Sequence, residues 1–276
     1  MYPVRAPIQA RPFGTEMAQH RVPFHVHTAP ARTTDGSVVV GSYNVHKCVG
    51  LDGRFDPSRI ARVVAELHAD VVALQEVDRR FGRRSGLLDA ETLRSDSGLH
   101  LVQVSDLPDG HGWHGNALLV RDAAVTRLDR LALPGAEPRG AIVTELTLPA
   151  GRLRLVAAHF GLLRRCRMRQ AAMILDAIAA GETMPTLLVG DLNEWRPGRR
   201  SSLRPLDALF GPLNASPPSF PAPMPLVSLD RILGWPQGLL RQVEVHRSPL
   251  ARIASDHLPL KARIDLGAAQ SLAAAA

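Results

Sequence analysis

The sequence predicts an α/β (α+β-type) protein in which two β-sheets pack together with helices outside. Three observations carry this. A strand–helix–strand pattern opens the chain at 37–76. Apolar strand candidates then follow at close spacing between 101 and 159, and a long helical pattern at 165–180 separates them from further strands. Strand–helix–strand units give parallel pairs, whereas closely spaced strands with short turns give antiparallel hairpins. Both sheets are therefore expected to be mixed and mainly antiparallel.

Each element has a local reason. Residues 1–35 are rich in Pro, Arg, Ala and His without a sustained period, so they read as a disordered tail, with Met17 as a second candidate start. Residues 37–45 are β-branched and apolar, a buried strand. Asp56 and Pro57 then supply an N-cap and an N1 proline, and Ile60, Val63, Val64 and Leu67 fall on one helical face. Asp70 ends that helix and 71–76 is the next strand. Strands follow at 101–104, 115–120, 125–132, 141–148 and 153–159. A helix at 165–180 turns Ala171, Ile174, Leu175 and Ile178 inward. A short strand at 186–190, a Pro-rich loop at 196–225 and strands near 229–233, 242–246 and 259–265 complete a single domain over 36–266. Residues 267–276 read as a second disordered tail.

Composition bounds the function. The chain has 276 residues, 45% hydrophobic and 21% charged, which excludes a wholly disordered, collagenous or coiled-coil protein. No uncharged apolar run approaches the ~18 residues of a membrane span. The N-terminus lacks a signal-type apolar core, and Cys48 and Cys166 cannot form a disulfide framework, so a reduced, cytoplasmic protein is expected. Nothing signals an obligate protein partner, and a monomer is the expectation. The net charge of +7 favours an anionic partner only weakly. Lys47 and Lys261 are the only lysines among 33 basic residues, a bias that a GC-rich genome also produces.

The chemistry is carried where polar residues end apolar strands. Asn44, Glu76, His159, Asp191 with Asn193, Asp230, and Asp256 with His257 all lie there. Strand ends present groups into a shared cleft, and this set is a metal and acid–base inventory. Its oxygen-rich donors suit Mg²⁺ or Mn²⁺ better than Zn²⁺. Singly, each has a bland reading: an Asp after a strand is most often a turn former, and His159 alone is a half-buried histidine. Glu76 stands apart, because a carboxylate directly after Val-Val-Ala-Leu-Gln is costly unless paired or metal-bound.

In order, Ser42-Tyr43-Asn44, Leu74-Gln75-Glu76, Ala157-Ala158-His159, Gly190-Asp191-Leu192-Asn193, Leu229-Asp230-Arg231 and Ser255-Asp256-His257 resemble the endonuclease/exonuclease/phosphatase superfamily over about 40–265. The stretches around Tyr43, His114, Pro138 and Asp191 are similar to a small bacterial branch of it. The resemblance implies a four-layer αββα sandwich with its site at one end of the sheets. It implies Glu76, Asn44 and Asp256 at the metal, Mg²⁺ or Mn²⁺. Asp191 would orient or deprotonate the attacking water, and Asn193 would donate to a phosphate oxygen. His257 would contact the phosphoryl group with its imidazole held by Asp230, and His159 would serve as general acid or phosphate ligand. Two departures stand out. His46 occupies a position where many relatives carry an acid, which puts a second carboxylate metal site in doubt. Ala158 replaces a common hydroxyl.

The implied activity is a metal-dependent phosphodiesterase with Asp191-activated water. The alternative is a catalytically inactive phosphate- or nucleic-acid-binding scaffold on the same fold. The substrate is open between nucleic acid and a phospholipid headgroup or small phosphate ester. Arg139 either reaches the scissile phosphate or is a solvated turn residue. Trp195, Arg196, Arg199, Arg200 and Arg204 either grip an anion or form an ordinary loop. His114 and Asn116 either line the cleft or form a turn. The loop with Phe220, Pro221, Met224 and Leu226 either makes peripheral membrane contact or packs on the core.

Overall fold

A computed structural model of the chain describes residues 37–79, 82–213 and 216–274. The N-terminal tail expected over 1–35, and Met17 within it, lie outside these residues. The strands are β1 (Ser37–Asn44), β2 (Val71–Gln75), β3 (His100–Leu101), β4 (Ala117–Val120), β5 (Ala124–Leu133), β6 (Arg139–Leu148), β7 (Gly151–His159), β8 (Thr186–Asp191), β9 (Asp230–Trp235), β10 (Leu240–Val245) and β11 (Leu260–Asp265). The helices are α1 (Pro57–Glu66), α2 (Ala90–Ser97), α3 (Arg164–Ala179), α4 (Asp207–Phe210), α5 (Ala251–Ala254) and α6 (Leu266–Ala274).

Two sheets form. One has the order β10-β11-β1-β2-β4-β3, the other β5-β6-β7-β8-β9. Each contains a single parallel pair, β1 with β2 and β7 with β8, and the other pairings are antiparallel. The parallel pairs are the two that a helix, α1 or α3, crosses over to connect, as a parallel connection requires. Val40, Ala73 and Leu118 of the first sheet meet Ile142, Leu155 and Val189 of the second in the central core. Ile60, Val64 and Leu67 cover the outer face of the first sheet, and Ala171, Ile174 and Ile178 that of the second. This is the four-layer sandwich.

The local chemistry explains the element ends. Asp56 Oδ1 accepts the Arg59 N–H at 2.8 Å, the expected N-cap of α1. Asp89 accepts from Thr92 at 3.0 Å and so starts α2, a helix the apolar pattern does not announce because its buried apolar contribution is Leu93 alone. The strand expected at 101–104 is shorter, and the Pro-rich loop contains two 3₁₀ turns and α4.

The C-terminal expectation is corrected. Residues 266–274 are helical, with Leu266 and Ala269 buried in the inter-sheet core. Asp265 Oδ1 accepts the Ala268 N–H at 3.0 Å, and an alanine run with a capped start favours helix.

Candidate active site

The parallel registers place the candidate residues. Asn44 ends β1 beside Gln75, so Glu76 emerges next to it. His159 ends β7 opposite Asp191, which ends β8, and Asp191 faces Asp230 at the start of β9. Gly190 makes this approach possible: with φ +139°, a Cβ there would lie 1.9 Å from the Ala158 carbonyl oxygen. Ser255 donates to the Asn44 carbonyl at 2.7 Å, which brings Asp256 and His257 to the same end.

The buried half of the site is centred on Asp191. Its Oδ2 accepts from Asn44 Nδ2 at 3.0 Å and lies 3.4 Å from His159 Nε2 and 3.8 Å from His257 Nε2. Its Oδ1 accepts the Asn193 N–H at 3.0 Å. His257 Nδ1 lies 2.8 Å from Asp230 Oδ2, which also accepts from the Ser219 hydroxyl, while Asp230 Oδ1 is buried without a hydrogen-bond partner. Burial alone would push the His257 pKa down. The Asp230, Asp191 and Asp256 carboxylates outweigh it and lift the value to about 10. Phe220 packs against the His257 ring at 4.9 Å. Asn193 donates from Nδ2 to the Phe160 carbonyl at 2.9 Å, leaving its Oδ1 for other partners.

The more open half is organised by a left-handed turn. His46, Lys47 and Cys48 have φ of +45°, +55° and +60°, a sparsely populated conformation for residues with a Cβ. The turn sets Lys47 Nζ 2.5 Å from Glu76 Oε2 and His46 Nδ1 3.9 Å from Asp256 Oδ1. Burial pushes the Glu76 pKa up, but Lys47, Arg139 and His46 together hold it below the ordinary glutamate value. The three sequence-predicted metal ligands therefore gather at one end of the fold, while their side chains take different partners: Asp191, Lys47 and His46.

Arg139 is not a solvated turn residue. It is 6% exposed, paired with Glu137 at 3.0 Å, with Nη1 2.9 Å from His159 Nε2. With Lys47, Glu76, Asp78, Arg84, His114 and His159 it lines one pocket. His114 is both a turn residue, φ +48°, and a wall of this pocket, and burial lowers its pKa. Asn116 is structural, its Nδ2 bridging to the Gly140 carbonyl at 3.0 Å. Lys47, Asp78, Arg84 and Ser219 were not singled out by sequence reasoning. Lys47 alone carried a signal, the rarity of lysine in this chain.

Asp191, Asp230 and His257 form a buried group whose ligand atoms lie within 4.8 Å of one another, a geometry that can hold a metal ion. The Asp230, Asp191 and Asp256 carboxylates around His257 favour its protonated form. Among the described residues, no helix is long and apolar enough to cross a membrane.

The family model of the Endonuclease/Exonuclease/phosphatase family matches residues 41–257. The chain belongs to this family. Its members are generally hydrolases of phosphate esters, as nucleases or phosphatases. No curated protein matches the sequence. Among solved structures, an endonuclease/exonuclease/phosphatase from Beutenbergia cavernae is 23% identical, with a TM-score of 0.63 over 83% of this chain and 72% of that one. A mannosyl-6-phosphatase from Bacteroides thetaiotaomicron is 16% identical, with a TM-score of 0.61 over 82% and 98%. TDP2 of D. rerio, complexed with a single-strand DNA product, is 17% identical, with a TM-score of 0.58 over 83% and 99%. At these identities the likeness shows the shared fold of the endonuclease/exonuclease/phosphatase family.

Proposed function

We propose that the chain is a divalent-metal-dependent phosphoesterase, a phosphodiesterase that hydrolyses P–O bonds by in-line attack of water. The supporting observation is the buried row Asp230–His257–Asp191, with Asn44 and His159 against Asp191. Asp191 Oδ2 is the general base for the attacking water, and the Asn44 and Asn193 N–H groups fix its orientation. His257, positioned by Asp230, holds a positive charge against the phosphoryl oxygens as negative charge grows on them. His159 protonates the leaving oxygen or binds phosphate, and Arg139 beside it adds a planar donor suited to phosphate. Asn193 Nδ2, which donates one hydrogen to the Phe160 carbonyl, gives its second to a phosphate oxygen.

The donor chemistry at the open half fits a hard cation. Glu76, Asn44 and Asp256 offer oxygens only, and Glu76 is held ionised. These residues would hold Mg²⁺ or Mn²⁺, and such an ion, when bound, neutralises phosphate charge and stabilises the leaving oxygen. Neighbours of this fold include one with a DNA product and one named for a sugar phosphate, so the fold accommodates nucleic acid and small esters alike.

The test is Mg²⁺- or Mn²⁺-dependent hydrolysis of bis-p-nitrophenyl phosphate, plasmid DNA, an abasic duplex and phospholipid vesicles, with Asp191→Ala as control. Turnover that disappears in the variant is the expected result. A variant as active as the parent removes Asp191 from the mechanism, and metal binding without turnover of any substrate returns the chain to the binding-scaffold reading.

A further inference from the structure

Exposed apolar side chains gather at the end of the fold that holds the site. On one rim, Leu162, Leu163 and Met168 follow His159 of β7, and Trp195 lies in the loop that follows β8; Leu162 and Trp195 are 62% and 55% exposed. On the opposite rim, Phe55, Met224, Leu226 and Ile253 are also exposed. The loop with the two alternatives of membrane contact and core packing is divided: Phe220 packs against His257, while Met224 and Leu226 are exposed. Scattered surface apolar residues need no explanation, but several on the segments that follow the site strands do.

The first rim is also strongly cationic. Arg164, Arg165, Arg169, Arg199, Arg200 and Arg204 are exposed on its two segments, 160–169 and 195–204, and those segments contain no acidic residue. The segments are fastened into one surface from beneath. Arg167 donates to Ser202 Oγ at 2.8 Å, to the Leu162 carbonyl at 2.6 Å and to Glu194 at 3.2 Å. Arg196 lies over the Trp195 ring at 4.7 Å.

We infer that this face docks on an anionic phospholipid bilayer, with Leu162, Leu163, Met168 and Trp195 entering the interface and the arginines meeting the headgroups. Apolar side chains set among arginines are the combination that interfacial binding uses, and tryptophan favours the headgroup level. A nucleic acid would match the charge but not the leucines and methionine, which offer no ring for bases to stack on. Docking in this pose turns the site, at the ends of β7 and β8, toward the lipid phosphates.

The full chain is mixed, without added metal, with vesicles of phosphatidylcholine alone or with phosphatidylglycerol, and read by co-sedimentation and tryptophan emission. Binding to the phosphatidylglycerol vesicles, weakened by salt and accompanied by a blue shift, is expected. Each arginine near an anionic surface is worth roughly a fivefold change in affinity. Arg199→Gln with Arg200→Gln therefore lowers partitioning about 25-fold, and Leu162→Ser with Trp195→Ser removes the blue shift as well as binding. The thermal midpoints of both variants stay at the parent value, since these side chains are exposed. No preference for anionic vesicles, indifference to both double variants, or capture of duplex DNA by these arginines with vesicles left unbound overturns the inference. No turnover is read, so failure here leaves the phosphoesterase reading standing.

Discussion

Arg167→Met is expected to destabilise the protein severely, because it takes the nearer of two arginines from a buried carboxylate and leaves it only Arg196 Nη1 at 3.7 Å. Arg167 and Glu194 are both buried, and their side chains meet at 3.2 Å. Arg167 also donates to Ser202, Gly161 and Leu162. Glu194 accepts from the Ser202 and Arg196 N–H groups at 2.8 and 2.9 Å. Removing one partner of a buried pair costs about 3–5 kcal/mol, because the other charge is left uncompensated. Against a total stability of roughly 5–15 kcal/mol this is a large fraction. At about 2–4 °C per kcal/mol for a chain of this size, the thermal midpoint falls by roughly 10 °C. Arg167→Met combined with Glu194→Gln removes the carboxylate charge and recovers most of the loss. The pH dependence has a definite sign. Burial raises the Glu194 pKa, but Ser202, the backbone N–H groups and Arg167 hold it below the ordinary value. In the parent, its stabilising effect is present above the unfolded pKa and disappears as pH falls through the lower folded one. Without Arg167 the folded pKa rises, so the gap between parent and variant narrows on acidification. Chemical denaturation of the three chains across pH checks this. A single variant within about 1 kcal/mol of the parent, or a double variant no better than the single, refutes the reasoning.

Two further outcomes follow from the same geometry. Lys47 Nζ, 2.5 Å from Glu76, competes with any cation for that carboxylate, so Lys47→Met is expected to tighten Mn²⁺ binding about fivefold by calorimetry, the size of a partly exposed ion pair; unchanged or weaker binding would separate Glu76 from the metal. Leu266→Ala, at a fully buried position where α6 enters the inter-sheet core, is expected to cost about 2–5 kcal/mol in denaturant unfolding, whereas a tail residue would cost nothing measurable.

What the sequence made legible followed from periodicity and from the cost of burying charge. The apolar runs that became β1, β2, β7 and β8 are unambiguous, because strands covered on both faces tolerate few polar residues. Glu76, His159, Asp191 and Asp230 therefore stood out at their ends. Relations that depend on contact across the chain were not legible. Arg139 stayed open between a phosphate contact and a solvated turn because its partner His159 lies 20 positions away and its burial depends on the second sheet. Lys47 meets Glu76 only because three residues adopt left-handed backbone, which no side-chain pattern announces. Alanine-rich α6 resembled a tail because helix propensity without an apolar stripe carries no tertiary signal; Asp265 and the core supply it.

The placement of the site follows from the paired topology of the two sheets. Each sheet gathers its polar groups through its one parallel pair: β1 and β2 set Asn44 beside Glu76, and β7 and β8 set His159 beside Asp191. Parallel strands point their C-terminal ends the same way, so each crossover delivers two polar side chains to one edge. The Asn44–Asp191 hydrogen bond is where the edges meet. The antiparallel neighbours β9 and β11 start at that edge, which is why Asp230 and His257 enter from the N-terminal side of their strands and bond each other there. Depth separates the two halves of the site. Asp191, Asp230 and His257 are buried between the sheets, where their mutual interactions are little screened by water. Glu76 and Asp256 are less deeply buried, and Lys47 and His46 face them.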